Sequence, residues 1–568
     1  MFRQRPGFEP TALLAALSLA GAMAVPVLSF VCLFPLVPDL PTWDQWSLIP
    51  LWQAHFAGDP VSPLLFEPYN GHLNFLPRLV FYGLGLLSGW DVRLEVVLSY
   101  LAACGTLALL LALLARHGRT GWMLALPVSA QVFSFLQYEN FLSGYPFGQN
   151  LSQLMTTATI FLISGPRLGT ARLLGAGAAS AAATFSWGAG LAAWYVGLGG
   201  LLLRRPRKLV QLGPWLGCTL AMTLAVKLGA GGSFGAIPWG RVPSFFLAVL
   251  GKAWSPLGTP TVELAIALGA GALLLFAALA IWAHARSDQR ALAWILLGLS
   301  ALTSAGLIAM GRSATGTSQA LVSHYVTATY PLVVSCTILG FLLLLGYGAR
   351  HRRLRPWLLA MALGGAGVIT LQPVALSFEL LPVLRGWSSI IDQHSLAIAR
   401  GTASDAQIKT SHHPVPGLVR SGTEVLRDHR LAWFRRLLDG AAPAGNVDRL
   451  AGATTDEASL EVPVDEPWMI EGWAVRSRRQ GGPVKAIHLL VDGRRIASAA
   501  LDLPRSDVAH FFGSQRFLYS GWVLSVPSGA VSEGRHHVMV AAASFNGSLY
   551  PLLESELVGR AGVASAGL

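Results

Sequence analysis

Apolar stretches long enough to cross a bilayer recur through the first two thirds of this 568-residue chain, and nothing else restricts its fold as strongly. Each runs to roughly 18–25 residues, the length at which a helix spans a ~30 Å hydrocarbon core. Inside lipid every backbone N–H and C=O must find its partner within the segment, so such stretches have to be helices. Charged residues are 12% of the composition and hydrophobic ones 53%, whereas a soluble domain carries about 25% charge. The first stretch, 11–37, stays apolar to its C-terminal end and reads as a retained helix, not a cleaved signal.

Short basic loops orient the helices. Spans at 11–37, 93–115, 121–137, 148–165, 172–186, 187–203, 209–229, 261–283, 291–310, 325–347 and 356–374 put all of these loops on one side. The loops are Arg3/Arg5, Arg116/Arg119, Arg167/Arg172, Arg204/Arg205/Arg207/Lys208, Arg286/Arg290 and Arg350/Arg352/Arg353/Arg355. That gives about eleven transmembrane helices, with the N-terminus cytoplasmic and the C-terminus outside. The segment 74–90 carries Pro77, Arg78 and several glycines, and is expected as a helix lying along the outer interface. The net charge of +12 is then a topology signal and no argument for a nucleic-acid partner. All four cysteines, Cys32, Cys104, Cys218 and Cys336, fall in apolar spans, which leaves no disulfide framework and no thiolate metal site.

The character changes after about residue 375, and three domains are expected: a membrane domain at 1–375, a helical and linker segment at 376–455, and a β-rich module at 456–560. Helical periodicity runs from Gly422 to Leu438. Beyond Val462 short apolar runs alternate, punctuated by Asp492-Gly493, Ser528-Gly529 and Asn546-Gly547. Asp-Gly between alternating runs is a strong hairpin signal. About seven short strands imply an extracytoplasmic, all-β antiparallel sandwich. Its Trp468, Trp473, Phe512 and Trp522 read either as sugar-stacking platforms or as the sandwich core.

The expected outer loops are rich in polar residues while the inner ones hold little but basic anchors. Loop one opens with Trp43-Asp-Gln-Trp46 and carries Asp44, Asp59, Glu67, Asn70, His72 and Arg78. The second outer loop holds Glu139 and Asn140, and a later one holds Arg312, His324 and Tyr325. A carboxylate between two interfacial aromatics suits a general base working at a lipid surface. As a structural alternative, Asp44 caps a helix end, Arg312 snorkels and Tyr325 is an interface anchor. Ligand spacing leaves a divalent metal undecided.

The order of an acid after helix one, a juxtamembrane helix and a second acidic loop resembles the GT-C superfamily of polyprenyl-phosphate-sugar glycosyltransferases. More closely, the chain is similar to a set of bacterial multi-pass proteins. Their recurring patterns appear here as Trp43-Asp-Gln-Trp46, Asn70-Gly-His-Leu73 with Leu76-Pro-Arg-Leu79, Tyr138-Glu-Asn140 with Phe147-Gly-Gln149, and Ser323-His-Tyr325. The chain departs from that pattern at Gly71, Leu73 and His324, which stand where an acid and two arginines are usual. Glu67 is the candidate substitute for the acid, and Arg312 or Arg78 for the lost cation. The resemblance implies an inverting transfer from a polyprenyl-phosphate sugar to a glycan, lipid or protein at the outer face of a bacterial inner membrane. Asp44 would be the base, Arg312, Arg78 and His324 the phosphate partners, and Glu139 and His72 the groups orienting sugar or acceptor. No cofactor beyond the lipid-linked donor is implied with certainty. Two other functions fit the composition: a flippase for lipid-linked sugars, and a non-catalytic polysaccharide assembly or export subunit.

Overall fold

The computed structural model describes residues 10–204, 209–229, 237–286, 289–351, 353–438, 442–451, 453–454, 460–477, 482–501, 503–513 and 517–562. The basic positions Arg3, Arg5, Arg205, Arg207, Lys208 and Arg352 lie outside them. The chain divides into two compact units. One comprises 1–38 and 47–388, the other 39–46 and 389–568.

The first unit is helical. Among the described residues six helices are long and apolar enough to cross a membrane: Thr11–Leu36, Val92–Ala115, Val262–Ala285, Gln289–Thr315, Ser323–Arg350 and Pro356–Arg400. They mark the chain as a membrane protein. Side chains such as Leu17, Val27, Leu28 and Val31 on the first, or Trp357, Met361 and Val368 on the last, are more than half exposed. Rows of exposed apolar side chains would be a liability in water and are at home in lipid. The other expected spans form shorter or less uniformly apolar helices. The segment 121–137, expected as one span, breaks into Arg119–Trp122, Ala125–Val132 and a 3-10 turn at Phe135–Gln137. The interfacial candidate is a helix at Phe75–Ser88, too short to be a candidate span, ended by Gly89 at φ 70°.

Small residues let these helices approach closely, as expected where apolar burial gives no driving force between helices. A Cβ on Gly251 would lie 1.7 Å from the Ala265 carbonyl oxygen, and one on Gly269 would lie 1.9 Å from that of Leu247. Helices Val242–Lys252 and Val262–Ala285 therefore pack backbone to backbone. Two of the basic anchors cap a helix end. Arg204 donates to the carbonyls of Ile163 (2.8 Å) and Gly165 (2.7 Å), and Arg116 to that of Ser164 (3.2 Å). These oxygens are left without helical partners by the end of Phe147–Ile163.

The last long helix runs without interruption from Arg355 to Arg400, past the composition change near 375. In the second unit it is followed by helices Asp405–Ser411, Pro416–Asp428 and Trp433–Leu437. Among the described residues nine strands follow: β1 Ala444–Leu450, β2 Ala453–Thr454, β3 Leu460–Pro463, β4 Trp468–Val475, β5 Ala486–Val491, β6 Arg494–Ala499, β7 Gly521–Val526, β8 Gly534–Ala543 and β9 Leu549–Arg560. They form a sheet of order β2-β1-β4-β7 and another of order β3-β9-β8-β5-β6. Inner-facing residues of both, among them Val447, Ile470, Leu524, Leu489 and Val540, share one hydrophobic cluster, which makes the module a sandwich.

Three details differ from the sequence reading. The first strand begins at Ala444, inside the stretch expected as linker. A bulge between Val447 and Arg449 breaks its alternation, which hid the strand. The pairing of β3 with β9 is parallel, so the sandwich is not wholly antiparallel. Trp468 and Trp522 are buried in the core (5% and 1% exposed), while half-buried Trp473 packs edge-on to Phe512 at 5.9 Å. The Asp492-Gly493 hairpin forms as the sequence indicates, with both residues at positive φ (49° and 77°).

Candidate functional site

In the first unit the polar residues of the expected outer loops gather from four places in the sequence. The first is a two-residue turn. Tyr69 and His72 exchange backbone hydrogen bonds of 3.0 and 2.9 Å across Asn70 and Gly71, whose φ angles are 51° and 77°. Both central residues being left-handed makes this a type I′ turn, for which Asn-Gly is the preferred pair. Gly71, with its φ of 77°, is thus the residue the backbone of this turn favours. The turn presents the Asn70 carbonyl and the His72 ring to Arg312, whose Nη2 lies 3.3 Å from the Asn70 oxygen and 3.3 Å from His72 Nε2. The guanidinium can only donate, so Nε2 accepts and the ring proton sits on Nδ1. Burial holds the His72 imidazole well below its usual range, and the charges of Arg312 and His324 push it the same way. His72 is therefore neutral at physiological pH. On its other side a Cβ at Gly188 would lie 2.4 Å from Nδ1.

The second pair is Glu139 and His324, with Oε2 and Nδ1 2.6 Å apart and both side chains about one third exposed (33% and 27%). The Glu139 amide donates to Ser323 Oγ at 3.3 Å. Asn140, wholly buried, donates through Nδ2 to Thr327 Oγ1 and to the His324 carbonyl (3.2 Å). Thr327 passes the chain on to Gln137 Oε1 at 2.5 Å, and Gln137 donates to the Val132 carbonyl at 2.6 Å. This buried network fixes the loop that holds Glu139 against the start of helix Val326–Arg350 and so sets the Glu139–His324 pair. The sequence reading gave no role to Gln137 or Ser323 and did not single out Thr327 or Gly188. Thr327, two residues beyond Tyr325, carried no motif signal, and Gly188 is legible only once His72 is seen against it. Tyr325 is buried, its ring 4.4 Å from that of His324.

Arg78 has a different surrounding from the one expected of a phosphate ligand. It is 4% exposed, and its Nη1 donates to the carbonyls of Leu64 (2.7 Å) and Glu67 (2.6 Å). It clamps loop one from within. The Glu67 residue is exposed. Arg312, by contrast, is half-buried and joins the cluster through the Asn70 carbonyl and the His72 ring.

Asp44 belongs to the second unit. It sits in a 3-10 turn, Trp43–Leu48, with Trp43 exposed (41%) and Trp46 fully buried. Trp43 has φ 50°, unusual for a bulky residue. Its amide donates to the His412 carbonyl. His412 is itself buried, with Ser411 Oγ 2.7 Å from Nδ1 and Ser395 Oγ 2.9 Å from Nε2. Burial lowers its affinity for a proton, and nearby His394 lowers it further. Neither His412 nor His413 was singled out in the sequence, where they stand as an isolated pair far from any motif.

One constellation in the sandwich has the residue types of a hydrolytic triad. His536 Nδ1 is 2.7 Å from Asp492 Oδ2, and Nε2 is 3.1 Å from Ser532 Oγ. Nε2 also lies 3.0 Å from the Ser532 carbonyl oxygen, which is not the surrounding of a base poised to take a serine proton. The Asp492 carboxylate also accepts from the His537 amide at 2.9 Å, so the group staples the β5–β6 turn to β8. No group of three or more His, Cys, Asp and Glu side chains placed to hold a metal occurs among the described residues. Comparison with protein-family models, with curated proteins and with solved structures finds no match to this chain.

Proposed function

We propose that the chain is an inverting membrane glycosyltransferase of the GT-C type. It would move a sugar from a polyprenyl-phosphate donor to the hydroxyl of a glycan, lipid or protein at the outer face of a bacterial inner membrane. The observation that carries this reading is the convergence in the first unit of Arg312, a neutral His72 and the Glu139–His324 pair, drawn from four separate segments and left partly open. The acceptor oxygen attacks the anomeric carbon as its bond to the donor phosphate breaks, and the bonding pair leaves with the phosphate. That leaving group is already anionic and needs a cation more than an acid. Arg312 supplies it through charge-assisted hydrogen bonds. His72 adds no charge, and its ring accepts from Arg312, which fixes the guanidinium. Glu139, oriented by His324, offers carboxylate oxygens to sugar or acceptor hydroxyls. The acceptor's proton goes to Asp44, an assignment that rests on the Trp-Asp-Gln-Trp motif.

The test is surface-glycan composition, together with the pool of polyprenyl-phosphate sugars, in a deletion strain complemented by wild type, Asp44→Asn or Arg312→Ala. Loss of one sugar with persistence of its lipid donor is expected for the deletion and for both variants. Full restoration by Asp44→Asn and Arg312→Ala, at wild-type membrane levels, would overturn the reading.

A further inference from the structure

The segment that carries Asp44 is held by residues that lie far along the chain, within the same unit. Its first residue, Asp39, is bonded through Oδ1 to Arg436 Nη2. The Arg436 carbonyl in turn accepts from Arg476 Nη1 at 2.6 Å, which ties this anchor to the end of β4. The middle of the segment is closed by Thr42, whose amide donates to Gln45 Oε1 at 3.0 Å while the Gln45 amide donates back to the Thr42 carbonyl at 3.1 Å. The far end is Trp46, buried completely. Between these points Trp43 takes a left-handed backbone conformation, and its amide reaches the His412 carbonyl. A bulky residue in that region persists only where its surroundings over-determine it. The residues that follow the two ends of this hydrogen bond are Asp44 and His413. His413 is almost buried, and its Nδ1 accepts from the Val415 amide at 3.1 Å, which fixes the ring.

The geometry points to a positioning role for this clasp: Arg436 and the His412–His413 corner hold the Asp44 turn in its working conformation. The inference rests on the reading of Asp44 as the base of a glycosyl transfer. Burial lowers the proton affinity of His413, and the charge of Asp44 opposes that fall, as two neighbouring groups would. No proton transfer to His413 is required. Its part is to fix, through the Val415 amide, the corner whose His412 carbonyl takes the Trp43 amide, while Arg436 holds the start of the segment. The acid turn is thereby one of the second unit's own folded parts.

Two readouts separate this inference from the transferase reading. The first is hydrogen exchange of the backbone over 39–46 in the full-length protein in detergent, which does not depend on any reaction. Arg436→Ala, and the milder Asp39→Asn, are expected to raise exchange there at least tenfold without changing the sandwich strands. His413→Leu is expected to raise it less, and His413→Gln, which keeps an acceptor for the Val415 amide, to leave it near wild type. The second readout is glycan transfer in the complemented deletion strain, where Arg436→Ala, Asp39→Asn and His413→Leu should fall at least tenfold and His413→Gln should be largely restored. Unchanged exchange in both Arg436→Ala and Asp39→Asn would overturn the clasp whatever the glycan shows. Raised exchange with full transfer, in a strain where Asp44→Asn abolishes transfer, would overturn the positioning role. If Asp44→Asn also transfers fully, the reading of Asp44 as the base is what fails.

Discussion

Replacing Gly188 by alanine adds one methyl group and tests how rigidly the His72 corner is built. The new Cβ would stand 2.4 Å from His72 Nδ1, 3.1 Å from Cε1 and 3.5 Å from Cγ. Ordinary contact begins about 1 Å farther out than the first of these, so ring or turn must move. Neither is free to do so. The ring is held from the other side by Arg312, and its backbone is set by the Asn70-Gly71 turn. Forcing a methyl group into such a site costs about 1–3 kcal/mol. Gly199, inside helix Ala192–Leu203, has nothing within 4 Å of its imagined Cβ. The same substitution there should stabilise by about 0.5–1 kcal/mol, because alanine is the better helix former. Thermal survival of the detergent-solubilised protein should therefore drop for Gly188→Ala and hold or rise for Gly199→Ala. Removing the ring removes the clash, so in a His72→Ala background Gly188→Ala should cost close to nothing, a coupling of about 1–3 kcal/mol. Equal behaviour of the two glycine variants, or a Gly188→Ala cost that survives His72→Ala, would refute the argument.

Three further outcomes are expected. His412 has a folded proton affinity below its unfolded value of 6.5, so the unfolded chain binds the extra proton and stability is lost as pH falls below that value. The loss should run at up to ~1.4 kcal/mol per pH unit, and His412→Gln should flatten the melting-temperature profile from pH 6.5 down towards about 3. Thr327→Val keeps the shape but leaves Gln137 Oε1 without that donor in a buried network, and should cost about 1–3 kcal/mol of stability in the same survival assay. Trp522→Ala removes a fully buried side chain from between the two sheets and should cost about 3–5 kcal/mol, read as loss of protease resistance of the second unit in the full-length protein.

What the sequence made legible follows from the range over which its signals act. Five long apolar runs announced their helices to within about five residues at each end, since length and hydropathy are local properties; the sixth, expected to end at 374, announced only its start, and its helix runs on to Arg400. Asp492-Gly493 announced its hairpin for the same reason: two adjacent residues tolerate the positive φ angles the turn needs. Strand β1 escaped because one bulge shifts its side chains out of alternation. In the candidate site, Asp44, His72, Glu139, Arg312 and His324 stood out as polar residues at the ends of apolar runs. The contacts between them did not. The pairing of His72 with Arg312 joins positions 240 residues apart, and that of Glu139 with His324 positions 185 apart. Arg78 shows the converse. Its type and place suited a phosphate ligand, yet two backbone carbonyls of loop one occupy Nη1, a demand that no side-chain pattern reveals.

The bond between Asp39 and Arg436 joins residues 397 positions apart. Chains are made at ~5–20 residues per second, so on the order of 20–80 s separate the appearance of the acid turn from that of its anchor. Throughout that interval the Trp43 backbone has no carbonyl of His412 to hold it. The chain therefore has a juvenile form, with its early helices made and its acid turn loose. Any product ending before His412 would lack both partners and remain in that form for as long as it lasts.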